Sequence, residues 1–141
     1  MEKKLIRPPF TEETARQKVK NVEEAWNSKD PVKVAEVYTL NTEWRNKDRF
    51  IFGRDGVLNF LYEEWGSVLD YTFKKELWAF TDNIMAIRCE YEYQSSDGQW
   101  YRAYGNEICE FSPNGLMKKR YARFNDFKIT AAKRKLKTMS V

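Results

Sequence analysis

GQWYRAYGNEICEFSPNGLMKKRYARFND, residues 98–126, is the stretch of sequence that decides the fold. It predicts two long strands joined by a Ser-Pro-Asn-Gly turn at residues 112–115, because turn-forming residues separate two runs rich in aromatic side chains. Neither set of alternate positions in the first strand is wholly apolar: one contains Trp100 and Arg102, the other Glu107 and Phe111. A sheet with one face in water would alternate strictly. The pattern therefore predicts a sheet covered on both faces, whose polar groups line either a pocket or a dimer interface.

Strands with the same two-residue period precede this stretch. The pattern predicts four strands, at residues 70–80, 84–94, 99–111 and 116–127, and each connection is short and rich in turn-forming residues. Short connections join antiparallel neighbours, so the four strands form an antiparallel meander.

The N-terminal third of the chain has helical periodicity. Thr11 is predicted to cap a first helix with an apolar stripe ending at Trp26, and Asp30 to cap a second whose buried side includes Tyr38. Two short extended segments, 43–46 and 49–52, are followed by Gly53-Arg54-Asp55, which leads into a third helix that ends at Gly66. Helices followed by a meander predict an α+β fold in which the N-terminal helices pack on one face of a curved antiparallel sheet and leave a cone-shaped cavity.

Length and charge indicate one domain with a basic tail. The chain has 141 residues and a formal net charge of +4, but residues 128–141 alone carry five basic and no acidic side chains. We therefore divide the chain into a domain at 1–129 and a basic tail at 130–141.

The body has no basic stripe and no glycine-rich loop between a strand and a helix, so neither a nucleic-acid partner nor a nucleotide site is expected. No apolar run reaches the ~18 residues of a membrane helix, and no secretion signal is expected.

The sequence contains no histidine. This removes the commonest general base near neutral pH, a common metal ligand and every Ser-His or Cys-His nucleophile. Cys89 and Cys109 lie inside predicted strands and are expected to be buried free thiols, too few for a zinc site. We therefore expect no metal or other cofactor, and the reduced thiols favour a cytoplasmic location.

Five segments resemble a known superfamily: RPPFTEETARQKV, EWRN, KELWAF, GQWYRAYGNE and GLMKKRYA. Over about residues 7–127 the chain resembles the nuclear transport factor 2-like (SnoaL-like) superfamily, and more narrowly a bacterial and fungal branch of unknown function. The resemblance implies a cone-shaped, cystatin-like fold, a pocket between sheet and helices, and a homodimer through the outer sheet face. The superfamily includes isomerases, cyclases, epoxide hydrolases, dehydratases and non-catalytic binding modules. In its catalytic members an Asp near the mouth often acts as base, but the resemblance assigns no Asp of this chain to that role.

The candidate site combines aromatic walls with a few polar groups. We expect Glu92 to act as a carboxylate base, its pKa raised by desolvation, and Tyr104 to assist it as a catalytic residue. Arg88 is expected to bind the anionic end of the substrate. The full set of expected substrate-binding residues is Trp44, Arg45, Phe60, Trp65, Trp78, Arg88, Trp100 and Asn106.

Each of these assignments has a structural alternative. The charged residues also fit cross-strand ion pairs on an exposed or dimeric sheet face, and the aromatic residues also fit a core. Arg45 fits either the rim of the cone or a surface position stacked on Trp44. Three functions remain open: a lyase, isomerase or hydrolase that uses a carboxylate; a ligand-binding module without turnover; and an interaction protein that acts through its dimer or its tail.

Overall fold

The computed structural model describes residues 5–136 and confirms the α+β class. The elements are α1 Glu12–Asn27, α2 Pro31–Ala35, β1 Tyr38–Asn46, β2 Arg49–Phe52, α3 Gly53–Gly66, β3 Val68–Thr81, β4 Ile84–Ser95, β5 Trp100–Phe111, β6 Met117–Ile129 and a 3₁₀ turn at Ala131–Lys133. The four-strand meander and the predicted third helix are confirmed, with bounds that differ by one or two residues. In the described range, no helix is long and apolar enough to cross a membrane.

The two predicted helix caps are present. Thr11 and Thr14 form a reciprocal capping box, in which each hydroxyl accepts a hydrogen bond from the other residue's amide at 2.9 and 3.1 Å. Asp30 accepts from the Val32 amide at 3.0 Å, with Pro31 at the first helical position. The apolar stripe of α1 is buried against the sheet, mainly against β3.

The six strands form one mixed sheet in the order β2-β1-β6-β5-β4-β3. All neighbouring pairs are antiparallel except β1 and β6, which are parallel. Because β1 and β6 lie more than seventy residues apart in the chain, no local turn signal indicates their pairing.

The predicted second helix is too long at its C-terminal end. Tyr38 was expected on its buried side, but α2 ends at Ala35 and Tyr38 begins β1, opposite Met117. The Tyr38 ring is fully buried and packs edge-on against Trp44 at 4.9 Å. Tertiary burial therefore outweighs the local helical pattern.

One set of alternate positions in β4 and β5 faces the helices. On this inner face lie the buried residues Met85, Ile87, Cys89, Tyr91, Ala103, Glu107, Cys109 and Phe111. Successive side chains of a strand point to opposite faces. Trp100, Tyr104 and Asn106 therefore lie on the outer face.

A short segment covers part of that outer face. Residues 130–136, here called the C-terminal strap, dock through Glu92, which accepts hydrogen bonds from the Lys135 and Leu136 amides at 2.7–3.1 Å. Arg102 donates to the Lys133 carbonyl at 2.6 Å. Glu92 is thereby completely buried. The division of the chain at residue 129 is based on composition alone. That the domain folds without the residues after 129 stays a prediction.

Gly105 marks a point where β5 and β6 approach closely. A side chain at this position would place its Cβ 2.0 Å from the Phe124 ring and 2.1 Å from the Arg123 carbonyl oxygen. The Phe124 ring occupies the space above the glycine, on the inner face. Only a residue without a Cβ allows this packing.

We predict that Gly105→Ala destabilises the protein by about 1–3 kcal/mol, because both the Arg123 backbone and the Phe124 ring must move. The measurement is the free energy of unfolding from urea denaturation. Gly66→Ala is the matched control: nothing lies within 4 Å of its added methyl group, so stability should stay equal or rise by up to ~1 kcal/mol. Equal stability of the two variants would contradict the close approach.

Candidate functional site

A cavity of about 340 Å³ lies between the inner face of the sheet, α1 and α3. We call it the inner cavity. Its aromatic lining comprises Trp26, Phe60, Trp65, Tyr71, Phe73, Tyr91, Tyr93 and Phe124, and its polar and charged lining includes Asn46, Lys47, Glu64, Arg120 and Asp126. Trp26, Tyr91 and Arg120 are buried, whereas Lys47, Glu64 and Asp126 are exposed, so the first three mark the floor and the others the rim.

The aromatic walls are packed against one another. Trp65 stacks on Tyr71 at 4.7 Å between ring centroids, and Phe73 meets Tyr91 edge-on at 4.3 Å. Such pairs contribute about 0.5–1.5 kcal/mol each beyond their burial. The walls are therefore held in place by the fold, independently of any ligand.

Arg120 lines the floor and pairs behind it with two more buried charged side chains, and we call these three residues the Glu107 cluster. The Glu107 Oε2 atom accepts from Lys75 Nζ at 3.0 Å and from Arg120 Nε at 2.6 Å, and all three side chains are at most 2% exposed. Lys75 lies on β3, Glu107 on β5 and Arg120 on β6, all on the inner face. Lys75 Nζ also donates to the Tyr91 hydroxyl at 3.1 Å.

Two indoles enclose the cations of this cluster. The Arg120 guanidinium lies 4.5 Å from the Trp44 ring and 5.0 Å from the Trp26 ring, and Lys75 Nζ lies 4.8 Å from the Trp26 ring. The negative faces of aromatic rings stabilise such cations. Arg120 also donates a long hydrogen bond to Asn46 at 3.4 Å.

The cluster fixes the charge of Glu107. Burial alone would raise its pKa, but Arg120 and Lys75 outweigh burial, and the pKa of Glu107 falls to about 2. Glu107 is therefore a permanent anion at neutral pH and a poor general base.

The rim carries a second polar group of residues. The Tyr93 hydroxyl donates to Asp126, whose other carboxylate oxygen lies 3.3 Å from Lys47 Nζ. Burial, followed by the hydrogen bond to Asp126, raises the pKa of Tyr93, so this phenol remains a donor. The rim thus presents a carboxylate with both an oriented donor and a counter-ion.

Tyr71, a residue that lines the cavity, has a hydroxyl without a hydrogen-bond partner in the described part of the chain. Tyr71 is 6% exposed, lines the inner cavity, and its hydroxyl makes no hydrogen bond within residues 5–136. Buried hydroxyls normally have a partner. The Tyr71 hydroxyl is therefore a buried polar group whose hydrogen-bonding capacity residues 5–136 do not use.

The two cysteines are buried and free of disulfides. Burial raises the pKa of the Cys89 thiol to about 12 and also raises the pKa of Cys109. Since the thiolate is the nucleophile, neither cysteine is activated. Among the described residues no group of three or more acidic, histidine or cysteine side chains is placed to hold a metal ion.

The inner cavity contains only part of the residue set expected from the sequence. Phe60 and Trp65 line it. Trp44 lies in the core behind Arg120 and is fully buried, and Arg45 is exposed with its guanidinium 5.5 Å from the Phe50 ring.

Four other expected residues come together on the wrong side of the sheet. Trp78, Arg88, Tyr104 and Asn106 line an open depression on the outer face, here called the outer groove, where Arg88 stacks on Trp78 at 5.7 Å. Their expected inward orientation is wrong because the opposite set of positions carries the apolar residues of the core.

The expected placement of Glu92 in the pocket is also wrong. Glu92 lies under the C-terminal strap and pairs with Arg102 at 2.7 Å. Burial alone would raise its pKa, but the Lys135 amide, Arg102 and the Leu136 amide outweigh burial, so the pKa of Glu92 is lowered rather than raised. Trp100 is covered by the same strap, with the Arg134 guanidinium 3.8 Å from its ring.

The residue set expected from the sequence does not include Arg120, Tyr71, Tyr93 and Asp126. A signal for their orientation exists in β4, where one set of alternate positions is apolar from Met85 onwards. The turn at residues 95–99 pairs Tyr91 with Ala103, and β5 in turn pairs with β6. Paired residues of neighbouring strands lie on the same face of a sheet. Following these pairs from the apolar positions of β4 to β5 and then to β6 would have placed Glu107 and Asp126 on the inner face.

The architecture and its inner cavity define the class of protein: the chain has the nuclear transport factor 2-like, or SnoaL-like, fold. SalBIII, an epoxide hydrolase/cyclase-like enzyme with a role in pyran ring formation in the polyether salinomycin, is 15% identical with a TM-score of 0.70, over 81% of this chain and 93% of its own. An NTF2-like protein of unknown function from Burkholderia pseudomallei is 14% identical with a TM-score of 0.70, over 77% and 88%. A SnoaL-like protein of unknown function from Burkholderia thailandensis is 20% identical with a TM-score of 0.65, over 83% and 99%. At these identities the comparisons show the fold alone.

Within that class, the chain belongs to the family described as protein of unknown function DUF1348, whose model matches residues 8–137. No curated protein matches the chain. The resemblance to a branch of unknown function within the superfamily is confirmed. The matched region continues past residue 129 and includes the C-terminal strap.

We predict that Glu107→Gln destabilises the protein by about 3–5 kcal/mol, because two buried cations lose their counter-charge. The measurement is the free energy of unfolding in urea at neutral pH.

The effect should also depend on pH. The pKa of Glu107 is about 2 in the folded protein, below its unfolded value. The stabilisation that the Glu107 carboxylate provides is therefore complete above the unfolded pKa and is lost as the pH falls through about 2. The difference between wild type and variant should therefore shrink on acidification.

Glu110→Gln is the control for this experiment. Glu110 pairs with Lys118 at 2.8 Å on the partly exposed part of the sheet, and such a pair contributes at most about 1 kcal/mol. A loss in Glu107→Gln no larger than in Glu110→Gln would contradict the role of the cluster.

Proposed function

We propose that the inner cavity binds a flat, largely apolar organic molecule and that Asp126 acts on it as a general base. The single observation that carries the proposal is that one partly enclosed cavity has both aromatic walls and a rim carboxylate. Ligand pockets in proteins are typically ~300–1,000 Å³ and mainly apolar with a few placed polar groups, and this cavity has that character.

The geometry indicates the reaction class. A general base removes a proton from a substrate atom within hydrogen-bond reach. Two carboxylates line the cavity, Glu64 and Asp126, and Asp126 is the one with a phenol, Tyr93, held beside it. Glu107 is held by two cations and Glu92 lies beneath the strap. The Tyr93 hydroxyl donates its one proton to Asp126; on substrate binding this proton would turn to a carbonyl oxygen on which negative charge develops, which leaves the Asp126 oxygen free to accept the substrate proton. Removal of a proton next to a carbonyl, as in an isomerase or lyase, fits these groups.

The shape of the site constrains the ligand. Arg120 and Asp126 lie on the same face of β6, six residues or ~20 Å apart along the strand. A ligand that reaches from the floor towards the rim is therefore elongated. The fold shared with SalBIII, an epoxide hydrolase/cyclase-like enzyme, supports a catalytic use of such a cavity.

We further propose that the protein is a homodimer through the outer sheet face. Large apolar side chains are exposed there: Trp78, Tyr104, Ile108, Tyr121 and Phe127, of which Trp78 is 69% exposed. Exposed apolar patches of this kind mark interaction surfaces. A second copy of the same face would cover them.

We also propose a cytoplasmic location, which the free cysteines support.

We predict that Trp65→Ala abolishes ligand binding while Trp78→Ala leaves it unchanged, because Trp65 lines the inner cavity and Trp78 the outer groove. The measurement is a thermal-shift screen with aromatic and alicyclic acids and ketones, in which a ligand at a hundred times its Kd adds ~2.7 kcal/mol to stability. If binding is lost in Trp78→Ala and kept in Trp65→Ala, the ligand binds in the outer groove and the proposed site is wrong.

The same experiment tests catalysis when a bound ketone is followed by NMR in D₂O. Wild type should exchange the proton next to the carbonyl, and Asp126→Asn should bind the ketone without exchanging it. Binding without exchange in the wild type would make the protein a non-catalytic binding module.

We predict that Ile108→Lys converts the dimer to a monomer, because it places two like charges in the covered outer face. Sedimentation velocity at micromolar concentration measures the change. Tyr62→Lys, on the exposed surface of α3, is the matched control and should remain dimeric. A monomeric wild type would overturn the dimer proposal.

A further inference from the structure

We infer that the ligand of the inner cavity is an organic monoanion whose carboxylate binds to Arg120 at the floor. This inference rests on the proposed function, since it names the chemical class of the molecule that the cavity takes. It is carried by the charge and geometry of the Glu107 cluster.

The cluster contains two cationic side chains and one anionic side chain. Lys75, Glu107 and Arg120 are all buried, so their formal charges leave one positive charge in excess at the floor. The carboxylates that share the cavity lining, Glu64 and Asp126, are at the exposed rim. Asp126 is also paired with Lys47, and solvent screens both rim acids.

An excess buried charge is unfavourable unless something compensates it. Trp26 and Trp44 stabilise the cations through their ring faces but supply no negative charge. A monoanionic ligand would neutralise the floor. It would do so in a water-poor site, where the attraction between opposite charges is stronger than in solvent.

The guanidinium of Arg120 has the geometry to bind a carboxylate. Its Nε atom is used by Glu107, and one Nη atom makes the long 3.4 Å bond to Asn46. Among residues 5–136 it makes no other hydrogen bond that competes for its donors, and its side chain lines the cavity. Arginine binds carboxylates through two parallel hydrogen bonds from such a free edge.

The polarity of the cavity also orients the ligand. The floor carries the excess positive charge, whereas solvent screens the rim acids and Asp126 is paired with Lys47, so an anionic end is attracted to the floor. The opposite end of an elongated ligand then lies near Tyr93 and Asp126, where the proposed proton transfer takes place. Arg120 accordingly determines specificity and position rather than reacting.

The test compares 2-naphthoate with 2-naphthamide, which share one ring system and differ in charge. Isothermal titration of the wild type should give about ten- to a hundredfold tighter binding of the naphthoate, the range expected of a charged hydrogen-bonded pair. Arg120→Gln should lose this preference and bind the two compounds about equally. Lys75→Met keeps the Arg120–Glu107 pair and removes the excess charge, so its preference should be reduced but not abolished.

Both variants leave one buried ion pair intact, and circular dichroism checks that each is folded. If a variant fails to fold, the inference is judged from the preference of the wild type for 2-naphthoate over 2-naphthamide. If the wild type binds naphthamide as tightly as naphthoate, the anion inference is overturned, but the proposal that the inner cavity binds an organic ligand is still supported. Failure of both compounds to bind the wild type at millimolar concentration would overturn the pocket function together with the inference.

Discussion

The carboxylate of Glu107 is the interaction on which the rest of the structure depends. A single oxygen, Oε2, holds Lys75 from β3 and Arg120 from β6, while Glu107 itself belongs to β5. Three strands that are not all neighbours are thereby joined at one buried point. Because a buried charge without a partner is far costlier than a paired one, the sheet cannot shift its register there without losing the pairing. The shape of the inner cavity is fixed by the same constraint.

Strand β6 translates this constraint into a site. Its inner positions run from Arg120 at the floor, through Ala122 and Phe124, to Asp126 at the rim. The close approach of Phe124 to Gly105 places an aromatic ring between the two charged ends. One strand therefore supplies an anion-binding group, an apolar wall and a carboxylate in sequence. The two-residue period of a strand is what aligns them on one face.

The elements of the fold were predictable from the sequence because their signals are local. Caps at Thr11 and Asp30, and turns between strands with a two-residue period, gave the helices and the meander close to their observed bounds. The parallel pairing of β1 with β6 and the entry of Tyr38 into β1 were not predictable in this way. Both depend on contacts between distant segments, which override local preference.

The candidate site was the harder part to predict, and the reason is physical. Glu92 and Glu107 are both buried carboxylates next to arginines, but Glu92 lies beneath the C-terminal strap and Glu107 lies on the inner face, where it binds the cavity residue Arg120. The strand of Glu107 does not show which face it takes, since aromatic residues lie on both faces of β5. Only the apolar positions of β4, transferred through the register to β5 and β6, separate the two faces. In a sheet covered on both sides, inward orientation is therefore a property of the whole register rather than of any single strand.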